Sequence, residues 1–533
     1  MNRSMGWRMT SAVLVAALMV SMVQAQQPTV VLSIRGIAPL IDDAEFLANE
    51  AGQEGAKEGI QDAINGFTGG KGLAGIDQTK PLGLYWNATG AGMPVVFLPI
   101  TDADDLKGLL TDLTPDFKDS KGQWTMTVNG TKLFAKVTGK YCFISNDAST
   151  LTKLADPTKI VNAKYDVALE ASISSLPEEL KNVFLAQFEA SARQSLENGP
   201  EPGEGEKEIR DSVFEGMLGS VKSFVNDGDR VTLGFDVDEK TRLGALDFSV
   251  TGKTGTTMAK SLTAFGKTQP VFGGIGSDTA PFRMVVSYPT TGIGEGFDAI
   301  MKAAQEKANE EIDDNEKLKN DDERAAAKKL LERMFGVITA TVKSGTMHSG
   351  IVLEKGTDDT VQMIGGMSVA KGDEVSKLID DAVKLSKNNP DLGTVKFDAD
   401  KHAGARIHAV TPEANEENEK LFGKSDAHLA VRADSVWMAM GGGNLKGLKK
   451  ALDQTAKPAT PKTPQAPISF QVKPAALVLL MEKDDDGLIE RAKGVAGKPG
   501  DKLNVEVVPV TSGAKLRIEF VKTTALTYFL MKN

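Results

Sequence analysis

Two stretches far apart in the chain spell out the same structural unit, and that repetition constrains the fold more than any other feature. Leu133–Asp156, LFAKVTGKYCFISNDASTLTKLAD, reads as a β-hairpin running into a short helix. His428–Asp453, HLAVRADSVWMAMGGGNLKGLKKALD, repeats the pattern near the other end. Around each copy the elements come in the same order, so a period of about half the chain is expected rather than one hairpin used twice.

In the first half, Thr29–Ile34 reads as a strand and Ile41–Phe67 as a helical segment with Gly breaks. Leu82–Asn87 and Met93–Ile100 form a strand pair around Gly90-Ala91-Gly92. Leu106, Leu109, Leu110 and Leu113 then fall at helical spacing, with Thr101 and Asp104 placed as a capping box. Three strands follow, joined by Asn129-Gly130, a pair suited to a type I′ turn, and by Thr138-Gly139. Asp166 opens another strand, and Ser175 with Glu178 suggests a capped helix through Leu180, Val183, Phe184 and Phe188. After the acidic loop 199–208 a second helical face runs to Val221. Val231, Leu233, Phe235 and Val237 alternate as in a half-buried strand, with Leu243–Val250 pairing back on it.

The order then begins again. Phe282–Tyr288 answers Thr29–Ile34, and the charged helical stretch Phe297–Phe335 answers the first helix. Val375, Leu378, Ile379 and Ala382 repeat the spacing of Leu106 to Leu113. A strand from Ile468 follows the Pro-rich stretch Ala456–Pro467, and Leu503, Val505 and Val507 with Leu516, Ile518 and Phe520 repeat the final alternation. The expected architecture is therefore α+β: two tandem duplicated domains, 27–266 and 282–533, joined by a Gly-rich linker at 267–281. Their sheets should be mostly antiparallel, with helices packed on one face.

The N-terminus speaks to location. Arg3 and Arg8 precede the apolar run Ala12–Val23, and Val23-Gln24-Ala25 offers acceptable cleavage positions. That pattern predicts a signal peptide over 1–25 and export to the periplasm or the extracellular space. No later stretch approaches the ~20 apolar residues of a membrane-spanning helix, so no transmembrane anchor is expected in the mature chain. Loss of Arg3 and Arg8 would move the formal charge of −10 to −12. No Lys/Arg block suited to gripping phosphates interrupts this acidic balance, which argues against a nucleic-acid partner.

Residues that might carry chemistry are few. Cys142 is the sole cysteine, which excludes an intramolecular disulfide; between Tyr141 and Phe143 it reads as a buried, inert thiol. All four histidines, His348, His402, His408 and His428, fall in the second half. His402 and His408 are six residues apart in a strand-like run, up to ~20 Å, too far to share an ion. His428 lies within reach of His408 only across strands. Gly252-Lys253-Thr254 ends like a phosphate-binding loop, but Asp247 stands where that motif needs Gly. Gly441-Gly442-Gly443 reads as a tight turn before a helix, with an anion cradle as the functional alternative. Asp484-Asp485-Asp486-Gly487 lacks the alternating ligands of a calcium loop, and the charge run Glu306–Arg324 reads as solvated helix faces, with a helical hairpin as the arrangement they allow. No catalytic residue, cofactor or metal ligand is assigned.

The hairpin-then-helix unit, a strand ending in small or polar residues followed by Leu-x-x-Leu, resembles exported bacterial proteins of unknown function built from duplicated α+β domains. Pro412–Lys424 departs from that pattern between the copies. The resemblance covers the repeat architecture and the signal peptide. The leading expectation for function is a non-catalytic exported protein with a binding or structural role in the cell envelope or outside it, its partner an envelope component, a peptide or a lipid held in a groove between the domains. Two other classes are kept in view. An extracytoplasmic metal-assisted hydrolase would draw on carboxylates and histidines of the second half. A carrier of an apolar ligand would need an enclosed apolar cavity.

Overall fold

The computed structural model describes residues 28–521, apart from 51–52, 89–92, 199–205, 239, 241–242, 291–294, 316–317, 319, 358, 387–393, 412–414, 457–464, 483–484 and 498–500. The stretch read as a signal peptide lies outside the described residues. Among the described residues fourteen α-helices and twenty strands make an α+β fold. The chain divides into two compact units, one of residues up to 188 with 225–253, the other of 189–224 with 254 onward.

The first unit opens with β1 (Val30–Ile34), the helices α1 (Ile37–Glu50) and α2 (Ala56–Phe67), then β2 (Leu82–Trp86) and β3 (Val95–Pro99). α3 (Ala103–Leu113) leads into β4 (Lys118–Ser120), β5 (Gln123–Val128), β6 (Thr131–Thr138) and β7 (Tyr141–Ser145). α4 (Pro157–Ile160) and β8 (Val167–Ser172) follow, then the start of α5 (Glu178–Glu197); residues 189–224, which hold the rest of α5 and most of α6 (Glu206–Asp227), belong to the second unit, and β9 (Gly228–Asp238) and β10 (Leu243–Gly252) to the first. Antiparallel pairing sets the order β4-β5-β6-β7-β3-β2-β1-β8-β9-β10.

Local chemistry fixes the turns and helix starts. Asn129 and Gly130 both take positive φ, 49° and 77°, as a type I′ turn between β5 and β6 requires. α3 is capped by Asp102 rather than by the expected Thr101: its Oδ1 accepts from the Asp104 and Asp105 amides at 2.8 and 3.0 Å. A carboxylate there also lies favourably against the positive end of the helix dipole, which a threonine hydroxyl cannot match. Ser175 donates its hydroxyl to the Ser172 carbonyl instead of capping α5.

Helical and loop cover is not confined to one face of this sheet. Cys142 and Phe143 are neighbours on β7, so they point to opposite sides. Cys142 packs with Leu106 of α3, Trp124, Met126 and Ala135. Phe143 packs with Val31, Tyr85 and Phe97, covered by Leu151, Leu154, Ile160 and Val161 from the segment before β8. The run Tyr141-Cys142-Phe143-Ile144 is apolar throughout, which is what a strand buried on both sides needs.

The second unit contains α7 (Thr257–Lys267), β11 (Phe282–Pro289), α8 (Glu295–Asp313), α9 (Asp321–Lys343), β12 (Thr346–Lys355), β13 (Val361–Ser368) and α10 (Gly372–Ser386). β14 (Thr394–His402), β15 (Ala405–Thr411), α11 (Glu416–Phe422), β16 (Ala427–Arg432), β17 (Ser435–Met440) and α12 (Asn444–Ala456) come next. β18 (Ile468–Val472), α13 (Pro474–Met481), α14 (Asp486–Val495), β19 (Lys502–Val510) and β20 (Gly513–Val521) complete it. The strand order is β14-β15-β16-β17-β13-β12-β11-β18-β19-β20, that of the first unit with every number raised by ten.

Residues 267–281, expected as a linker, contribute to the core of this unit. Phe272 and Ile275 are fully buried, and the Phe272 ring lies 5.0 Å from that of Trp437. Glycines make the seat: a Cβ on Gly350 would stand 2.6 Å from Phe272 Cβ, and one on Gly366 would stand 2.7 Å from its Cε1. Ile407, Ala439, Leu448 and Leu452 close the same cluster.

Candidate functional site

The first unit carries a cleft of about 710 Å³ on the Phe97–Phe143 side of its sheet, within the range of small-ligand sites. Its base is Thr29 and Val31 of the β1 end, Asn87 beyond β2, and Glu170 and Ser172 of β8. Arg230 of β9 and the segment 153–163 form the remaining walls.

Several bonds hold that segment in place. Asp156 caps α4, its Oδ1 accepting from the Thr158 amide at 3.0 Å and from the Thr158 hydroxyl at 2.7 Å. Those bonds hold its carboxyl below the usual range. Pro157 begins the helix, where a missing N–H does no harm. The Ala155 amide donates to the Tyr85 hydroxyl at 3.2 Å, and the Asn162 amide to Ser33 Oγ at 3.4 Å. Leu154, Ala155, Ile160 and Val161 pack on the core beneath. The cleft wall is thus a fixed part of the unit.

Polar groups in the cleft differ in how fully they are engaged. Glu170 accepts from Arg230 Nη1 at 3.4 Å and from the Thr232 hydroxyl at 3.3 Å. Thr29 Oγ1 accepts from the Ala88 amide at 3.0 Å. Asn87 Oδ1, in contrast, is buried with no donor among the described residues. Lys159 lies 3.8 Å from Asp156, whereas Lys153 has no ion pair among the described residues. Sequence reading missed this site, because its groups come from five separate segments and none sits in a motif.

The histidines are dispersed. His402 Nε2 meets Asp453 Oδ1 at 2.8 Å, His348 Nδ1 meets Ser287 Oγ at 2.8 Å, and His428 Nδ1 meets Asn444 Oδ1 at 2.7 Å. His408 stands opposite Leu429, and His428 opposite Ala409, so the two point to opposite faces of the β15–β16 pair. Among the described residues no group of three or more His, Cys, Asp or Glu is placed to hold a metal ion. His408 is fully buried and accepts at Nδ1 from the Asp398 amide, 3.2 Å away. Burial, then the nearby Arg406, lowers its pKa. Burial pushes the Cys142 thiol up to about 12, which leaves no thiolate at neutral pH.

The glycine run before α12 borders a second cavity of about 440 Å³ in the second unit, with Gln362, Lys446 and Lys450. Packing accounts for the glycines. A Cβ on Gly441 would stand 1.8 Å from the Val361 carbonyl oxygen, and one on Gly442 would stand 2.5 Å from the hydroxyls of Thr357 and Thr360. The Gly442 amide donates to Thr360 Oγ1 at 3.1 Å. Gly252 ends β10, as a strand end rather than a phosphate loop, and Asp485 caps α14 through the Leu488 amide at 2.8 Å.

No protein-family model, characterised protein or solved structure matches this chain. Among the described residues no helix is long and apolar enough to cross a membrane.

Proposed function

We propose that this is an exported, non-catalytic binding protein of the cell envelope, built by tandem duplication, whose ligand occupies the cleft of the first unit. The observation that carries the reading is that cleft: a cavity of about 710 Å³ with a fixed wall and a lining that mixes apolar, polar and charged side chains. Mixed lining of this kind suits recognition of an oriented small ligand. It suits an apolar carrier less well, since Lys153, Lys159, Arg230, Asp156 and Glu170 all border it. The duplication draws its support from the two ten-strand orders, which agree at every pairing. Independent origin of two such orders in one chain would be an improbable coincidence. Export draws its support from the charged and apolar pattern of residues 1–25.

One preparation tests both parts. The full chain is expressed in a bacterium, and the protein is recovered from the periplasmic and medium fractions. Intact mass should place the new N-terminus at Gln26. Native mass spectrometry should find a non-covalent adduct that is lost in Ala163→Trp, which places an indole in the cleft from an exposed lining position, while the thermal transition is retained. An uncleaved cytoplasmic chain refutes export. An adduct that survives Ala163→Trp refutes the cleft as the ligand site.

A further inference from the structure

We propose that the first unit pairs with a second copy of this chain through the side of its sheet opposite the cleft, an interface that goes beyond the ligand reading above and does not depend on it. Strand alternation brings apolar residues to that side. Across the order β3-β2-β1-β8-β9-β10, Val96, Leu84, Leu32, Leu169, Leu233 and Phe248 stand opposite one another in a single row. The rows on either side of it, through Val30 and through Ile34, are apolar on every strand from β2 to β10. No charged residue interrupts the three rows.

The core beneath α3 reaches Ile144 of β7 on this side of the sheet and does not include Val96. Beyond it Val96, Leu169, Leu233 and Phe248 are 36%, 42%, 41% and 45% exposed. The surface is braced from behind: the Tyr165 ring fills the space beside Gly234, and its hydroxyl donates to Asp247 at 2.9 Å. With strands ~4.8 Å apart and same-side residues ~7 Å apart along each, six strands by three rows cover roughly 29 by 20 Å, about 550 Å². Single exposed apolar residues are ordinary, but a continuous patch of this size, at the upper end of the ~300–600 Å² found on monomers, marks an interaction surface. Two facing copies would bury about 1,100 Å², above the ~1,000 Å² that a specific interface needs.

Charge and shape select the occupant. A surface without charge offers nothing to a phosphate or a carboxylate, and a formal charge of −10 repels an anionic membrane. A second sheet is the matching layer, because sheets stack ~10 Å apart with strands within ~30° of one another. A two-fold axis near Leu32 and Leu169, at the middle of the row, sets apolar against apolar at every position and needs no second kind of surface. The second unit shows that this side of the fold accepts a packed layer. Its counterpart row runs through Ile351, Met284, Phe470, Val505 and Ile518. There α7 packs on the same side, with the Phe265 ring 6.2 Å from that of Tyr288 and Gly266 set against Pro509.

Sedimentation velocity of the full chain, from nanomolar to high micromolar concentration, should show a reversible dimer. Phe248→Lys and Leu169→Lys, both at exposed positions, should each weaken association at least tenfold while the thermal transition is retained, because dimerisation would bury an unmatched charge. Met438→Lys, at an exposed position of the second unit, should leave the dimer unchanged. Leu169→Cys should cross-link to its own copy with a short bis-maleimide, and Phe248→Lys in the same chain should abolish that product. Cys142 stays silent because it is fully buried. A chain that is monomeric throughout overturns the proposal, as does a dimer that both lysine variants leave intact or one lost in Met438→Lys instead. A monomer that floats with neutral phosphatidylcholine vesicles overturns it in favour of a lipid surface. Where a lysine variant does not fold, the Leu169→Cys product decides, and its absence overturns the proposal. None of these outcomes bears on the cleft, which lies on the other side of the sheet.

Discussion

Gly441 offers a sharp test of whether packing or ligand binding explains the glycine run before α12. Its φ is +91°, and a Cβ there would stand 1.8 Å from the Val361 carbonyl oxygen and 2.9 Å from the Val361 carbonyl carbon. Two costs follow for Gly441→Ala. A left-handed backbone costs a non-glycine residue roughly 1–2 kcal/mol. Relieving the overlap requires moving β13 backbone that is paired with β17, a small-to-large insertion costing about 1–3 kcal/mol. The sum is about 2–5 kcal/mol. Gly443→Ala is the internal control: its φ is +75°, but its Cβ would meet only side-chain atoms, Thr357 Cγ2 at 3.3 Å and Gln362 Nε2 at 3.4 Å. It should lose roughly 1–2 kcal/mol, the backbone cost alone. Hydrogen exchange read on the peptide 428–453 confines the measurement to the second unit. If Gly441→Ala proves no more destabilising than Gly443→Ala, the packing explanation fails.

Two further outcomes follow from buried titratable groups. His408 has its pKa lowered by burial, so the unfolded chain binds a proton more readily than the folded one below the ordinary value of 6.5. Stability of the second unit should therefore fall as pH drops below about 6.5. His408→Gln should flatten that slope in urea titrations, and an unchanged slope would exonerate His408. Cys142, with its thiol pushed up to about 12 and no exposed surface, should resist a thiol reagent at pH 8 until urea unfolds the first unit. Rapid labelling of the native chain would contradict that burial.

The legible part of this fold was its local part. Asn129-Gly130 demanded positive φ twice and obtained it. The leucines at 106 and 109 did turn inward. Period-two alternation in β9, by contrast, located the strand without revealing which side the core would take. Leu233 and Phe248 stand opposite each other and are 41% and 45% exposed, while Thr232 and Gly234 are buried. The reason is Tyr165: its ring occupies the place of a Gly234 Cβ, and its hydroxyl donates to the buried Asp247 at 2.9 Å. A polar pair between residues 82 positions apart decides that face, and no window of sequence contains both. The long charged stretch 297–335, read as helix with a helical hairpin as one reading of its charge run 306–324, does break between α8 and α9, where Asn320 caps the second helix through the Glu323 amide. The cleft was illegible for the same reason as Tyr165–Asp247. It is made by register and by a wall segment, neither of which leaves a periodic trace.

Register also suggests why the two units need not share a function. On β1, Val31 pairs with Tyr85 and Glu170, and it lies in the base of the cleft. Ten strands later, Arg283 pairs with Val352 and Gln471 in the same relation. A short aliphatic residue and a carboxylate in one unit are thus replaced by a guanidinium and an amide in the other. Burial lowers the pKa of Arg283, and its Nε is buried without an acceptor among the described residues. A desolvated cation is expensive unless matched, so the two units differ in charge at this one position. If duplication supplied both units, their divergence falls where β1 and β8 meet in one and β11 and β18 in the other. The scaffold residues around those pairs keep the same strand order, while the groups that could meet a ligand do not. A binding site confined to the first unit is what this asymmetry leads one to expect.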